Sequence, residues 1–489
     1  METLISIKPL RAVLVAGGVT ALILASRRHP DLREACSVGA AIVTFLIVIS
    51  MAPAILAGQV VEYTLFRILP GVEFAFRVDG LGFLFATTSS SLWVAAAVYC
   101  IGYMRTLDEP HQTRFYTCFA IAIAAALIVA FSANLFTLFL GYEILSLCTF
   151  PLVIHKENAE SWDAGRKYLL YLAGTSKTIL LAAIVLTYYL TGTLEFDSAG
   201  MFSGGEGRTL LTVVYFCFLF GFAKAAVMPV HSWLPAAMVA PTPVSALLHA
   251  VAVVKVGAFS VVRVVTDVFG VDLMRDLDLG TYTAVFASIT ILAASAYALS
   301  QDNLKMRLAY STVSQLSYIV LGVALLSVSG MTGGIVHIVN HAFSKITLFF
   351  CAGAIYAVSH KTNISQLSGI ARKMPWTIAA FAIGSLSMVG VPLFAGFISK
   401  WYLAIGTIQG GNWVLLGVLL TGTLLNLAYF APIVYKAVFE APPDDPEGHE
   451  DFGEAPLTIL IPLLVTAVGT VLLGVFPGFF LDLIRLGLM

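Results

Sequence analysis

Charge is what this chain has least of. Of its 489 residues only 11% are Asp, Glu, Lys or Arg, against about 25% in soluble domains. Net charge is −1, which removes any bulk electrostatic case for nucleic acid. The six cysteines (36, 100, 118, 148, 217 and 351) are scattered, and no pair has CxxC spacing. They read as small buried hydrophobes rather than disulfides, metal ligands or iron–sulfur ligands. The N-terminus is apolar but has no small-residue cleavage site after a clean apolar core, so no removable signal peptide is expected. In place of charge there is apolar bulk: 59% hydrophobic residues, 57 aromatics (33 Phe, 18 Tyr, 6 Trp) and mean hydropathy +0.92. A soluble fold with this balance could not cover its core with polar surface.

About 20 mostly apolar residues make a spanning helix. Fourteen such stretches are expected: 9–26, 36–57, 81–102, 115–131, 134–154, 168–192, 209–229, 242–266, 280–300, 309–329, 333–358, 375–405, 413–437 and 455–484. The fold class is therefore an all-α integral membrane protein. Fourteen spans put both ends on one side, and the loops then divide Lys and Arg 14 to 7. The richer set, which includes Arg27, Arg105, Lys156 and Lys305, should face the cytoplasm. Both termini then lie on the other side of the cell inner (plasma) membrane. The polar loop 438–454, with Pro442-Pro-Asp-Asp-Pro-Glu-Gly-His-Glu-Asp451, reads as a solvated acidic connector.

Two spans are interrupted. The seventh runs into Pro229, and the twelfth holds Gly390-Val-Pro392. Broken helices are tolerated in a membrane where the freed backbone lines a cavity or water. A pair of them at matching places in two halves points to a transport site. Spans 4–8 and 9–13 each contain five helices, and an odd number per repeat requires the second copy to be inverted. The expected organisation is a three-helix segment (1–110), a first five-helix repeat (111–268), an inverted second repeat (279–437), and an acidic loop with the last helix (438–489).

Six cations fall inside spans: Lys177, Lys224, Lys255, Arg263, Lys345 and Lys400. Arg263 is near enough to a helix end to snorkel. The one carboxylate well inside a span is Glu143. Each central charge costs about 2.5–3.5 kcal/mol, so Glu143 and the five deep lysines together cost roughly 15–20 kcal/mol before compensation. Five lysines cannot all pair with one carboxylate, and burial disfavours the charged form of an amine. A lysine so placed is a candidate proton carrier. His337, His341 and Lys345 recur at i, i+4 and i+8 and form one helical stripe, each step rising about 6 Å. No Asp, Glu or Cys completes a metal site there. His231 and His249 flank the proline-rich link between spans seven and eight. His249 and Lys255 would not share a face of an unbroken helix. The expected site is a membrane-parallel row: Glu143, Lys224, Lys255, the His337/His341/Lys345 stripe and Lys400. In such a row each charge biases its neighbours' protonation.

Phe222-Ala-Lys224-Ala-Ala-Val-Met-Pro229-Val-His231-Ser-Trp-Leu-Pro235, followed by Pro241-Thr-Pro-Val-Ser-Ala-Leu-Leu-His249, resembles the antiporter-like subunits of respiratory complex I. The same family includes the large subunits of Mrp cation/proton antiporters and of membrane-bound hydrogenases. His337-Ile-Val-Asn-His341-Ala-Phe-Ser-Lys345 and Gly390-Val-Pro-Leu-Phe-Ala-Gly-Phe-Ile-Ser-Lys400 match two more of its motifs. The resemblance covers roughly residues 75–435. It implies a fourteen-helix fold with two inverted five-helix repeats and broken helices 7 and 12. It implies Glu143 as the fifth-helix carboxylate, Lys224 as its partner, Lys255 as the connecting residue and Lys400 as the exit-side base. It implies no redox cofactor in this chain, and partners that are other membrane subunits, homologous ones among them. Ending soon after the last span, the chain looks most like the shorter, D-type member among the large Mrp subunits. Lys177 matches no motif position and is a candidate partner of Glu143. Three functions stay open: a subunit exchanging protons for Na+ or another cation, the proton-pumping subunit of a redox enzyme such as complex I or an energy-converting hydrogenase, and an inactive membrane scaffold. No catalytic centre is read in the chain itself.

Overall fold

The computed structural model describes residues 2–442 and 452–488; most of the acidic connector lies outside the described residues. Among these residues, 11 helices are long and apolar enough to cross a membrane, and two shorter apolar helices (Arg208–Gly221 and Pro375–Val389) accompany them. The most apolar stretch of the Thr242–Phe269 helix is wholly buried, and that of Pro30–Leu56 only one-third buried. The former is thus central and the latter peripheral.

One element corrects the all-α expectation. A strand at the N-terminus, β1 (Thr3–Ile5), joins a hairpin between the second and third expected spans, β2 (Val60–Leu69) and β3 (Val72–Val78), in a three-stranded sheet of order β1-β2-β3. β1 runs parallel to β2, and β2 pairs antiparallel with β3 through Val61↔Val78 and Tyr63↔Phe76. The period-two pattern of this segment, which buries Phe76 and Val78, is a strand signal in a stretch that reads as a loop beside its long apolar neighbours. Arg77 donates to Glu62 across the hairpin (2.6 Å). Both ends of the described chain sit by the sheet: Thr3, Glu62, Asp79 and Leu488 line one cavity of about 610 Å³.

The two interrupted spans are broken as expected, but the first break begins earlier than Pro229. The helix Arg208–Gly221 ends at Phe222, and Ala223–Ala225 form a single tight turn. Ala226 then adopts φ +54°, so Lys224 sits in irregular backbone. The freed groups are paired, as an apolar interior requires. Trp233 Nε1 donates to the Ala223 carbonyl (3.0 Å), Lys224 N to the Tyr142 hydroxyl (3.1 Å) and Met228 N to Thr290 Oγ1 (3.1 Å). The second break separates Pro375–Val389 from Ala395–Gln409, with Gly390 at φ +90°. Here Asn340 Nδ2 donates to the Ala395 carbonyl (2.7 Å) and Gly396 N to Ser387 Oγ (2.9 Å). A third irregularity, a wide π-type turn at Leu247–Val251, holds His249. The helix carrying His249 and Lys255 is therefore not continuous between them.

Candidate functional site

The site is built from side chains that the helix breaks and one long helix, Val328–Ser359, bring into the bundle centre. Glu143 lies on Leu135–Val153, a helix started by Asn134, whose side chain accepts from Thr137 N (2.8 Å). Its side chain is 13% exposed, and its Oε2 is 4.0 Å from Lys177 Nζ. Neither carboxylate oxygen has a hydrogen-bond partner among the described residues. Lys177 itself is half-exposed on the outer face of the bundle.

The Lys224 ammonium turns to the same helix but not to Glu143. It donates to the Tyr142 carbonyl (2.8 Å) and Ser146 Oγ (2.5 Å), and lies 3.2 Å from the centre of the Tyr142 ring. Positions 142 and 146 are one turn apart on one face. Position 143 is rotated about 100° away, toward Lys177. The resemblance implies Lys224 as the partner of Glu143, whereas the structure pairs each with another neighbour.

Lys255 is fully buried and hydrogen-bonds His341 Nδ1. The ring of His341 is 5.8 Å from that of His337. His337 in turn meets Ser399 Oγ (2.7 Å) and Gln315 Oε1 (3.0 Å). Lys345 donates to Ser311 Oγ (2.9 Å) and the Leu308 carbonyl (3.4 Å). Lys400 reaches back across the second break to the Met388 and Val389 carbonyls (2.9 Å each) and to Thr423 Oγ1 (3.3 Å). Those carbonyls end a half-helix, where the macrodipole favours a cation. His249 is 0% exposed, and neither ring nitrogen has a partner among the described residues. It packs 4.9 Å from Phe349. Within the expected row Lys255 and His341 bond directly, while Glu143, Lys224, Lys345 and Lys400 are each held by other neighbours. His231 is outside the row, in the link after Pro229, half-exposed and with Nδ1 unpartnered among the described residues.

Arg263 does not snorkel. It is 3% exposed and is gripped by Asp79 (2.6 and 2.7 Å) and Asp267 (2.7 Å). It sits on a helix buried on every side, so its nearest relief is an ion pair rather than the membrane surface.

The sequence reading missed the polar residues between the cations: Tyr142, Ser146, Ser311, Gln315, Ser399, Asn426 and Tyr429. The signal was present. Ser311, Gln315 and Tyr318 recur at helical spacing inside an apolar run, which places them on one face. At the opposite end of the bundle from the sheet, buried His155 lies 3.6 Å from Glu109. Burial pulls His155 down to about 4 and pushes Glu109 up from its ordinary value, while Arg114 draws Glu157 down. Among the described residues no group of three or more His, Cys, Asp or Glu is placed to hold a metal ion.

Residues 132–426 match the family model described as "NADH:quinone oxidoreductase/Mrp antiporter, TM". The chain belongs to this membrane family. It is 33% identical over 399 residues to "NADH-quinone oxidoreductase subunit N" of Desulforudis audaxviator, covering 78% of each chain. It is 31% identical over 435 residues to "Hydrogenase-4 component B" of Escherichia coli, covering 83% of this chain and 64% of that one. The fold matches a chain of the Mrp complex from Dietzia sp. with TM-score 0.83 and 25% identity, over 99% of this chain and 95% of that one. The protein is accordingly an antiporter-like membrane subunit of the kind found in complex I, Mrp and hydrogenase-type complexes, and its family is one of proton and ion transport.

Proposed function

We propose that this chain is a proton-translocating subunit of an Mrp-type monovalent cation/proton antiporter, in the place of the D-type large subunit. In this reading it has fourteen spans. Residues 111–268 and 279–437 are inverted five-helix repeats, 1–110 a three-helix segment, and 438–489 the connector and last helix. Both termini face away from the cytoplasm in the plasma membrane. Its partners are other membrane subunits, homologous ones among them, and protons exchange against Na+ or a similar cation.

The observation that carries this reading is the run of buried ionisable groups from Glu143 to Lys400, with polar atoms left open beside it. The Glu143 carboxylate and the His249 ring lack hydrogen-bond partners among the described residues, and a buried orphan costs about 1–3 kcal/mol unless water or a mobile proton satisfies it. Lys224, Lys345 and Lys400 are held by neutral hydroxyls and carbonyls rather than by fixed counter-ions. Each can therefore release its proton without stranding a buried anion. Glu143, Lys224, Lys255, His249, His337, His341, Lys345 and Lys400 carry the proton, with Lys177 modulating Glu143 and no cofactor in the chain.

The identity to an NADH-quinone oxidoreductase subunit over 78% of each chain favours a second reading: the pumping subunit of a redox-driven complex. Purifying the intact complex and identifying its subunits by mass spectrometry separates the two. Flavin or iron–sulfur subunits mean a redox machine, and small membrane subunits alone mean an antiporter. Glu143→Ala and Lys224→Ala are each expected to abolish proton movement while assembly survives; full activity in either would favour a scaffold.

A further inference from the structure

Between Lys345 and Lys400 the structure holds a series of neutral polar groups that no role yet covers. Ser311 Oγ accepts from Lys345 (2.9 Å) and lies 3.0 Å from the Tyr429 hydroxyl. That hydroxyl also contacts Asn426 Oδ1. Asn426 Nδ2 donates to the Met388 carbonyl (3.4 Å), which Lys400 also uses (2.9 Å). The tyrosine has one proton and two acceptors. When it points to Asn426, Ser311 is free to donate to the tyrosine oxygen.

An amide oxygen accepts a proton's hydrogen bond but has no proton of its own to pass on. The Asn426 amide is oriented, because its nitrogen is committed to Met388. In this arrangement the series therefore ends at Asn426, one step short of Lys400. A second observation shows where the missing step lies. The Tyr318 hydroxyl is fully buried without a hydrogen-bond partner among the described residues, although Thr423 and Asn426 are beside it. Thr423 Oγ1 is 3.3 Å from Lys400 Nζ, which is 5.4 Å from the Tyr318 ring centre. The neighbouring Gln315 Nε2 is likewise open. Buried polar orphans of this kind are where proteins hold internal water.

We propose that Tyr429 is a gate in the proton path between Lys345 and Lys400, latched by Asn426 and opened when a water at Tyr318 and Thr423 replaces the amide as its acceptor. This rests on the translocation function proposed above. In the open state an N–H bond of the Lys345 ammonium breaks as an O–H bond forms on Ser311. Ser311 passes its own proton to Tyr429, Tyr429 passes its own to the water, and the water passes one to the Lys400 amine. Lys345 ends as the amine and Lys400 as the ammonium. Both hydroxyls and the water are regenerated, and no electron moves.

The test uses membrane vesicles bearing the whole complex, with initial proton flux normalised to the amount of assembled complex. Tyr429→Phe keeps the ring and removes the relay oxygen, and flux should fall at least about tenfold. Asn426→Ala releases the latch, and proton leak without the driving ion or reaction should rise several-fold. Opposite effects from two touching residues are not what a merely structural role would give. Flux within twofold of wild type in Tyr429→Phe, or no added leak in Asn426→Ala, overturns the gate. Should Tyr429→Phe fail to assemble, Ser311→Ala is expected to show the same tenfold fall, and full flux in it overturns the gate equally. Wild-type complex that moves no protons would instead sink the proposed function itself.

Discussion

Replacing Gly257 by alanine should silence the chain without touching an ionisable group. Gly257 lies on the buried helix Val253–Arg263, against the first helix break. A Cβ built there would lie 2.1 Å from Ala225 N, 2.3 Å from Lys224 C and 2.8 Å from Lys224 Cβ. Two of these atoms are backbone, so no rotamer change relieves the clash. Ordinary contact would need the Lys224 turn to retreat by roughly 1 Å. The Lys224 ammonium is held by bonds of 2.8 and 2.5 Å to Tyr142 and Ser146, and such a retreat would break both. Overpacking of this kind costs about 1–3 kcal/mol, which a fold this size tolerates. A misplacement of about 1 Å can cost on the order of 100-fold in a reaction that depends on geometry. The assay is initial proton flux in vesicles, normalised to assembled complex by immunoblot. Gly39→Ala, where a Cβ meets nothing within 4 Å, is the control and should be unchanged. Gly257→Ala complex pumping within twofold of wild type would refute the claim that Lys224 works only from its position in the break.

Other outcomes follow from the geometry. Asp79→Asn weakens the two-pronged hold on Arg263, and because breaking a buried pair costs about 3–5 kcal/mol, the detergent-purified complex should melt several degrees lower; an unchanged melting temperature would count against the pair. Gly396→Ala, whose Cβ would lie 1.8 Å from the Ser387 carbonyl oxygen, should impair assembly, whereas Gly18→Ala, with nothing within 4 Å, should not. His155 is neutral in the fold down to about pH 4, while an unfolded histidine titrates near 6.5. The unfolded chain therefore binds the extra proton between those values, and stability should fall as pH drops from about 6.5 to 4 and level off below. Glu109, pushed up by its own burial, contributes the opposite slope. His155→Gln should remove the histidine part of the slope in melts across that window, and melts parallel to wild type would refute it.

Much of this architecture was legible in sequence because membrane burial is strict. Long apolar runs, two proline-marked breaks and lysines at lipid depth leave few alternatives, and the His337/His341/Lys345 stripe followed from spacing alone. What stayed hidden depends on rotation about helix axes. Glu143 and Tyr142 are adjacent in the chain, yet one side chain turns toward Lys177 and the other toward Lys224. Arg263 looked able to snorkel because its position near a helix end was visible, while Asp79, which holds it, is 184 residues away. The sheet was missed because alternation over seven residues is weak beside spans three times longer. The hydrogen-bonded series Ser311, Tyr429 and Asn426 was overlooked because hydroxyls and amides stand out less than charges in an apolar run, although they make most of the contacts.

The most direct test of the account is proton flux through the assembled complex carrying Lys345→Met. Methionine keeps much of the side chain's apolar bulk and removes the ammonium that bonds Ser311. A complex of normal composition whose proton flux is lost is the expected result. Wild-type flux from that complex would show that protons cross without this lysine, and the buried row would no longer be their path.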